Sequence, residues 1–586
     1  MRSRGGELPS LASTTFHHLP ASGDSTTARS EADAFLPRGQ AELKLLFLHP
    51  KTLVDSWPVT VDTLGEIIKA PSAVYPVLAS VVSDLPLQIT MFDGYVTRES
   101  FANYKERLRQ ADVIAISMMS PLKALDTELS IRLAKALNPD VKVILGGNHA
   151  SAFPERWIEC GADFVVVGEG EVAFRKLMEA MVSRRSTFDD LPNLVYSDQG
   201  RAKATGIEAP KVDLNLMPLP RWDLFDLRPY DLGLGAGGFT AAIEVSRGCP
   251  HRCDFCNINT FWKYRQDYKT VERVCDELEQ LHRLGVREFI FTDDNFAQDH
   301  RHTKKLFEEM IRRDLRMRFG SFMRGDTVNR HPEFIELAAR AGFSFCLMGI
   351  ETLDPAWLKS HRKGVRPDDV VSMYSNVYRT LKRNGVFVIG LFITPPEATA
   401  DQVSGRGADG LVCDAHYTAD LVAQKGSALF AELIKSGAVG KDMFYHDWNL
   451  PSIKLQDGGS QISRKSFRSL LRGWNSHAIR DALVGAPLAR RFRWRNVGIL
   501  AERILCTSLA DVRRYRMAKD TSLPLQERQH NMVHSVIAPS FVEKLVKARR
   551  FKSPLSLRNS IWSAHQVVKE RRRAQRISEG VQVANG

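Results

Sequence analysis

Twice along this chain short apolar runs alternate with amphipathic stretches, and that double series limits the fold more than any other feature. From Leu43 onward, KLLFLH (44–49), LQITMFD (87–93), VIAIS (113–117), VKVILGG (141–147) and DFVVVG (163–168) have the run length of strands. Helical periodicity falls between them over 73–82, 101–110, 125–137 and 154–159, and Glu169 to Met181 closes the series as a helix. Strands without polar alternation are buried on both faces, and helical crossovers make their neighbours parallel, so the first series predicts a doubly wound α/β sheet. A second series begins at AAIEVS (241–246) and continues through REFIFT (287–292), MRFGSF (317–322), FSFCLMGI (343–350) and VFVIGLFI (386–393). Helices over 270–284, 301–313, 332–341 and 368–384 separate these strands, which predicts a partial (β/α) barrel with its working face at the strands' C-terminal ends.

A chain of 586 residues exceeds one core, so several units are expected. The divisions read as a flexible leader over 1–39, a doubly wound domain over 40–185, and a Pro- and Gly-rich linker with a small hairpin over 186–238. A barrel over 239–455 and a basic helical region over 456–586 follow. The leader lacks a continuous apolar h-region and no stretch has the purity of a membrane span, which predicts a cytoplasmic protein. Much of the net charge of +13 lies in the arginines over 490–516 and in Lys569 with the arginines over 571–576. Solvated helix faces account for such a tail, with nucleic acid, anionic lipid or an acidic partner as the alternative.

Eight cysteines are too few for a disulfide scaffold, yet Cys249, Cys253 and Cys256 crowd into SRGCPHRCDFCNI directly after a strand. Three thiolates on one short loop can hold three irons of a cubane and leave the fourth open to a small chelating ligand. A zinc site completed by His251 is the other reading, although structural zinc usually draws on two separated ligand pairs.

The order C-x3-C-x2-C and its place after a strand resemble the radical S-adenosylmethionine (SAM) superfamily, a resemblance that extends over about 240–393. It implies a [4Fe–4S] cluster that donates one electron to SAM and releases a 5′-deoxyadenosyl radical. The same resemblance places Asp293 and Asp294, in FTDDNF, near the SAM amino group. It gives Arg324, in FMRGD, the methionine carboxylate, and Gly349 and Glu351, in MGIET, the ribose. Alternatives for these residues are a helix N-cap for either aspartate and a surface ion pair for Arg324. Phe255 matches an aromatic usual before the last cysteine, with simple packing beneath the loop as the alternative. Phe261, Trp262, Tyr264 and Arg265 are candidates for the substrate cavity or for core packing.

Upstream, LGGNHAS (145–151) and VVGEGE (167–172) each join a strand to a helix, where glycines admit a bulky ligand and helix N-termini favour anionic groups. Together with the barrel they resemble the cobalamin-binding domain of the B12-dependent radical enzymes. That resemblance implies cobalamin contacts at Ser117, Ser120, Gly146, Gly147, His149, Gly168 and Glu169, with a satisfied loop histidine as the alternative for His149. The D-x-H-x-x-G pattern that supplies an axial histidine is missing, since HPKTLVD follows the first strand.

Two features fit less well. Residues 404–423 are rich in Gly, Ala and Asp and lack a clean strand where a sixth is expected, and Cys413 there is a lone cysteine. Beyond 460, FRSLLRGW, 497–519 and FVEKLVKARR (541–550) read as helices that cover the barrel and shape the substrate entrance, with a peripheral membrane contact as an option if the substrate is lipid or porphyrin.

The whole arrangement looks most like the group containing the anaerobic magnesium-protoporphyrin monomethyl ester cyclase, with hopanoid methylases as relatives. The expected function is a cobalamin-dependent radical enzyme that methylates or oxidatively cyclises an unactivated carbon of a small molecule, supplied with electrons by flavodoxin or ferredoxin. A radical SAM enzyme with a vestigial B12 domain, and a non-catalytic Fe–S or zinc protein that binds nucleic acid, are the alternatives.

Overall fold

The computed structural model describes residues 42–50, 70–436 and 539–548, apart from 95, 97–98, 120–123, 231, 233, 235, 366–369, 395–405, 408–409 and 422–423. The expected leader, Ser120 and all of the basic region except one helix lie outside the described residues.

The first sheet has seven strands: β1 (Leu43–His49), β2 (Leu87–Asp93), β3 (Val113–Ser117), β4 (Lys142–Gly146), β5 (Phe164–Val166), β6 (Leu194–Asp198) and β7 (Arg201–Ala204). Their order is β2-β1-β3-β4-β5-β6-β7, with β1 to β5 parallel and the last two antiparallel. The apolar run of β1 is explained by burial on both sides. Leu46 and Leu48 enter one core with Tyr104, Leu129 and Trp157, whereas Leu45 and Phe47 enter the other with Tyr75 and Phe174. Strand order reverses between β1 and β3, which places a crevice beside His49 and Ser117 at the C-terminal edge.

The stretch expected as a linker is built into both halves. Its hairpin, β6 and β7, extends the first sheet because Phe164 to Val166 pair with Leu194 to Tyr196. After the hairpin, Val212, Leu214 and Phe225 are buried in the core of that sheet, and Trp222, Leu227 and Tyr230 in the core of the next. Tyr230 also donates to Asp93 Oδ2 at 2.8 Å.

The second sheet contains β8 (Phe239–Ile243), β11 (Val286–Phe291), β12 (Arg318–Arg324), β13 (Phe343–Glu351), β14 (Phe387–Thr394) and β17 (Ala415–Asp420), hydrogen-bonded in that order. All its pairings are parallel, as a partial (β/α)6 barrel requires. Two short antiparallel pairs flank it, β9 (Ser246–Arg247) with β10 (Asp267–Tyr268), and β15 (Arg406–Gly407) with β16 (Gly410–Leu411). The absence of a sixth strand from 404–423 is overturned by β17, which pairs with β14 from Ile389↔Ala415 to Thr394↔Asp420. An outermost strand needs only one ladder of backbone bonds, so AHYTAD forms it without an apolar run.

Polar residues after the strands start the returning helices and so define the working face. Thr270, Asp299 and Asp354 cap the helices Val271–Arg283, His300–Arg312 and Pro355–Ser360 through their side-chain oxygens. The helix Pro539–Lys547 lies against the first domain. Leu545 joins its core, and Lys105 Nζ donates to the Val546 and Ala548 carbonyls at 2.6 and 2.7 Å. Among the described residues no helix is long and apolar enough to cross a membrane.

Candidate active site

The cysteine loop is held by side chains that arrive from the next strand. Asp293, just past β11, is buried, and its carboxylate accepts from Val245 N at 3.1 Å, Ser246 N at 2.6 Å and Ser246 Oγ at 2.6 Å. Burial pushes the Asp293 carboxyl up to about 7, and those donors pull the other way. Gly248 comes next, with φ 88° and no room for a side chain, since a Cβ would lie 2.1 Å from the Arg265 carbonyl oxygen. Its N–H donates to Asp294 Oδ2 at 3.0 Å, and burial pushes Asp294 up to about 6. Neither aspartate caps the following helix, a task that falls to Asp299.

Cys249, Cys253 and Cys256 are free thiols; Cys253 is buried and the other two are half-buried. Burial pushes Cys256 up to about 12 and Cys249 above its ordinary value, so these thiols give up their protons on binding metal rather than before it. Among the described residues no three His, Cys, Asp or Glu side chains converge as ligands of one metal ion. A cubane asks something different, one thiolate for each of three separate irons. Arg324, at the end of β12, fits such a group. Its Nη1 lies 3.8 Å from Cys253 Sγ, its Nε donates to Asp326 Oδ1 at 2.9 Å, and its Nη2 donates to the Lys363 carbonyl. A buried guanidinium beside the Cys253 sulfur offsets the charge that thiolate ligation creates.

Glu351 ends β13 with φ 65°, a conformation few non-glycine residues adopt, and forms a buried ion pair with Lys363. A Cβ on Gly349 would meet Glu351 Oε1 at 2.9 Å and Lys363 Nζ at 3.2 Å, so the glycine makes room for that pair. Tyr374 donates to the Gly349 carbonyl at 3.3 Å. Lys363 was not anticipated from the sequence, and neither were the partners that support the loop from beneath. There Asp254 Oδ1 pairs with His361 Nδ1 at 2.8 Å, and the Phe255 ring lies 5.8 Å from Trp357. The basic stretch HRKGV (361–365), one short helix beyond MGIET, was the available signal. Of the cavity candidates, Phe261 and Trp262 pack edge to face at 4.9 Å, while Tyr264 is exposed beneath the Arg252 guanidinium.

At the C-terminal edge of the first sheet, backbone supplies most of the surface. Gly147 has φ 92°, and a Cβ there would strike the Met118 carbonyl oxygen at 2.7 Å. Ser151 ties the two glycine turns together, donating to the Gly147 carbonyl at 2.8 Å and accepting from Gly168 N at 2.9 Å. The Gly146 carbonyl accepts from Met118 N at 2.7 Å, and Ser117 N donates to the Tyr75 hydroxyl at 3.2 Å. Met119 is exposed at this edge. His149 packs beside these turns. It is buried, accepts from Trp157 Nε1 at 3.3 Å, and has its ring 5.1 Å from that of Phe153. His49 lies 3.5 Å from the Asp93 carboxylate. A doubly wound sheet with glycine turns and an exposed thioether beside its switch point suits a large planar ligand.

The two edges meet at Arg247. Its guanidinium is buried, with Nη1 3.2 Å from Glu169, Nη2 2.6 Å from Glu171 and 2.7 Å from Glu244, and the Trp262 ring 5.6 Å away. Arg265 adds a second contact to Glu169 at 3.5 Å. Glu169 is thus engaged with the cysteine loop.

A family model described as the radical SAM superfamily matches residues 243–403, and one described as a B12 binding domain matches residues 70–178. An uncharacterized methyltransferase of Pyrococcus horikoshii is 27% identical over 331 residues, 56% of this chain and 70% of that protein. The hopanoid C-3 methylase of Methylococcus capsulatus is 29% identical over 46% of this chain and 51% of its own length. For the anaerobic magnesium-protoporphyrin IX monomethyl ester cyclase of Rubrivivax gelatinosus the values are 26%, 60% and 63%. The chain thus spans less than two thirds of the latter two. Among solved structures, the radical SAM methyltransferase TsrM of Kitasatospora setae superposes with a TM-score of 0.52 at 20% identity, covering 68% of this chain and 76% of that one. The cobalamin-dependent radical enzyme OxsB gives 0.56 at 16% identity, over 86% and 78%. At these identities the two structures establish a shared fold.

Proposed function

Because the chain belongs to the radical SAM superfamily and carries a B12-binding domain, we propose that it is a cobalamin-dependent radical enzyme that methylates or oxidatively cyclises an unactivated carbon of a small molecule. The observation that carries this reading is the three-cysteine loop at the C-terminal ends of the barrel strands, joined through Arg247 to the glycine turns of a second, doubly wound sheet. Cys249, Cys253 and Cys256 would hold a [4Fe–4S] cluster, and the edge around Ser117, Gly146, Gly147, Gly168 and Glu169 would seat cobalamin. When bound, cluster, SAM and cobalamin supply a carbon-centred radical and a transferable methyl group.

The chain's own contribution is placement. Asp293 and Asp294 fix the backbone that leads into Cys249, and Arg324 offsets thiolate charge at Cys253. Glu351, oriented by Lys363, would accept from SAM hydroxyls, and the Phe255 and Trp357 rings pack beneath the loop. Free thiols of this kind suit a reducing, cytoplasmic setting, with flavodoxin or ferredoxin as the electron donor. The hopanoid methylase and porphyrin cyclase relatives favour a polycyclic lipid or tetrapyrrole substrate.

Anaerobic reconstitution with iron, sulfide and hydroxocobalamin tests the reading. We expect iron near four per chain, retained corrin, and 5′-deoxyadenosine on addition of SAM and dithionite. Cys253→Ala is expected to lower 5′-deoxyadenosine formation at least 100-fold, by the order of the catalytic contribution at stake. Radical formation by a variant lacking all three cysteines would refute it.

A further inference from the structure

Arg247 is the last side chain before the cysteine loop begins, and its donors are spent across the domain boundary. Nε and Nη2 hold Glu244 of its own barrel, whereas Nη1 and Nη2 reach Glu169 and Glu171, which flank the start of the helix Glu171–Val182 in the other domain. All three carboxylates are largely withdrawn from water, so they rely on this guanidinium for countercharge, with Arg265 assisting at Glu169 and Lys269 near Glu244. The contact continues on both sides. Toward the barrel, Arg247 leads directly to Gly248, pinned by Asp294, and then to Cys249. In the other direction Glu169 follows Gly168, whose N–H donates to Ser151, and Ser151 donates to the carbonyl of Gly147.

Resting on the functional reading above, we infer that Arg247 is a positioning residue that couples ligand occupancy at the glycine turns of the first domain to the shape of the cysteine loop. The physical basis is that a buried, multiply bonded charge cannot slide. A shift of the Gly147–Gly168 turns moves the Glu169 and Glu171 carboxylates, and the guanidinium must follow or leave a buried charge unpaired. Lysine in its place keeps one positive charge but lacks the planar fork that engages carboxylates from two domains at once. Coupling of this kind is reciprocal, so cobalamin would raise affinity for SAM as much as SAM raises affinity for cobalamin.

The test uses the full chain with its cluster reconstituted, without reductant so that no turnover occurs. SAM binding is measured by calorimetry with and without saturating hydroxocobalamin. The expected result for the unaltered protein is at least about fivefold tighter SAM binding when corrin is present, within the usual range of such coupling. In Arg247→Lys, with iron and corrin content retained, the difference falls below about twofold. Glu171→Gln approaches the same contact from the other domain, far from the cysteines in sequence, and is expected to reduce the difference even if Arg247→Lys fails to load iron. Equal SAM affinity with and without corrin overturns the coupling, and so does a full difference surviving in Glu171→Gln. If the unaltered protein retains no corrin at all, the functional reading falls and takes the coupling with it.

Discussion

The two candidate binding edges are built on opposite plans. At the cysteine loop, side chains do the holding. Asp293 and Asp294 bond backbone N–H groups of residues 245–248, Arg324 reaches a sulfur and a carbonyl, and Lys363 steadies Glu351. At the edge of the first sheet the surface is mainly backbone, two glycine turns joined by one serine. A group bound covalently through three sulfurs needs those atoms fixed, whereas a large ligand held by shape needs only room and unobstructed backbone.

This contrast can be broken by substitution. The largest effect is expected for Lys363→Met, which leaves the Glu351 carboxylate in a buried position without its partner. A loss of about 3–5 kcal/mol in urea unfolding is expected, with weakened SAM binding. Glycine substitutions sharpen the comparison further. Gly248→Ala and Gly147→Ala each force a Cβ against a carbonyl at positive φ, and each should cost about 2 kcal/mol. Their cofactor effects should separate. Gly248→Ala is expected to lose iron and keep corrin, and Gly147→Ala to lose corrin and keep iron, read by iron assay and absorbance after desalting. Joint loss of both in either variant would mean that the two edges are not independently built. The smallest effect is expected for Lys105→Ala, about 1 kcal/mol in thermal unfolding, since it removes two hydrogen bonds to carbonyls at a helix end and touches neither edge.

The same contrast explains what could be read from the chain. Thiolate spacing is local, so Cys249, Cys253 and Cys256 announce themselves within one loop. Parallel strands buried on both faces are continuous apolar runs, and the five expected barrel strands were legible on that ground. AHYTAD was not, because an outermost strand is defined by a backbone ladder rather than by side chains. Arg247, Lys363 and His361 were missed for another reason. Their meaning lies in partners on distant segments, and one sequence records a residue's type without recording what it meets. For His149 the structure adds aromatic partners, Trp157 and Phe153, that its place beside glycines did not reveal. Asp293 and Glu351 were singled out at strand ends, and there the structure adds their internal partners: two backbone amides and a hydroxyl for the first, an ammonium for the second.

The helix Pro539–Lys547 gives the molecule a timetable. It covers apolar surface of a domain whose own strands end hundreds of residues earlier, with Lys105 reaching a carbonyl 441 positions along the chain. During synthesis the first sheet must therefore wait, with the patch that receives Leu545 uncovered, until the segment carrying that helix has emerged. Closing so long a loop is slow but adds little entropy cost for each further residue. Over that interval the patch that later receives Leu545 is open to chaperone contact.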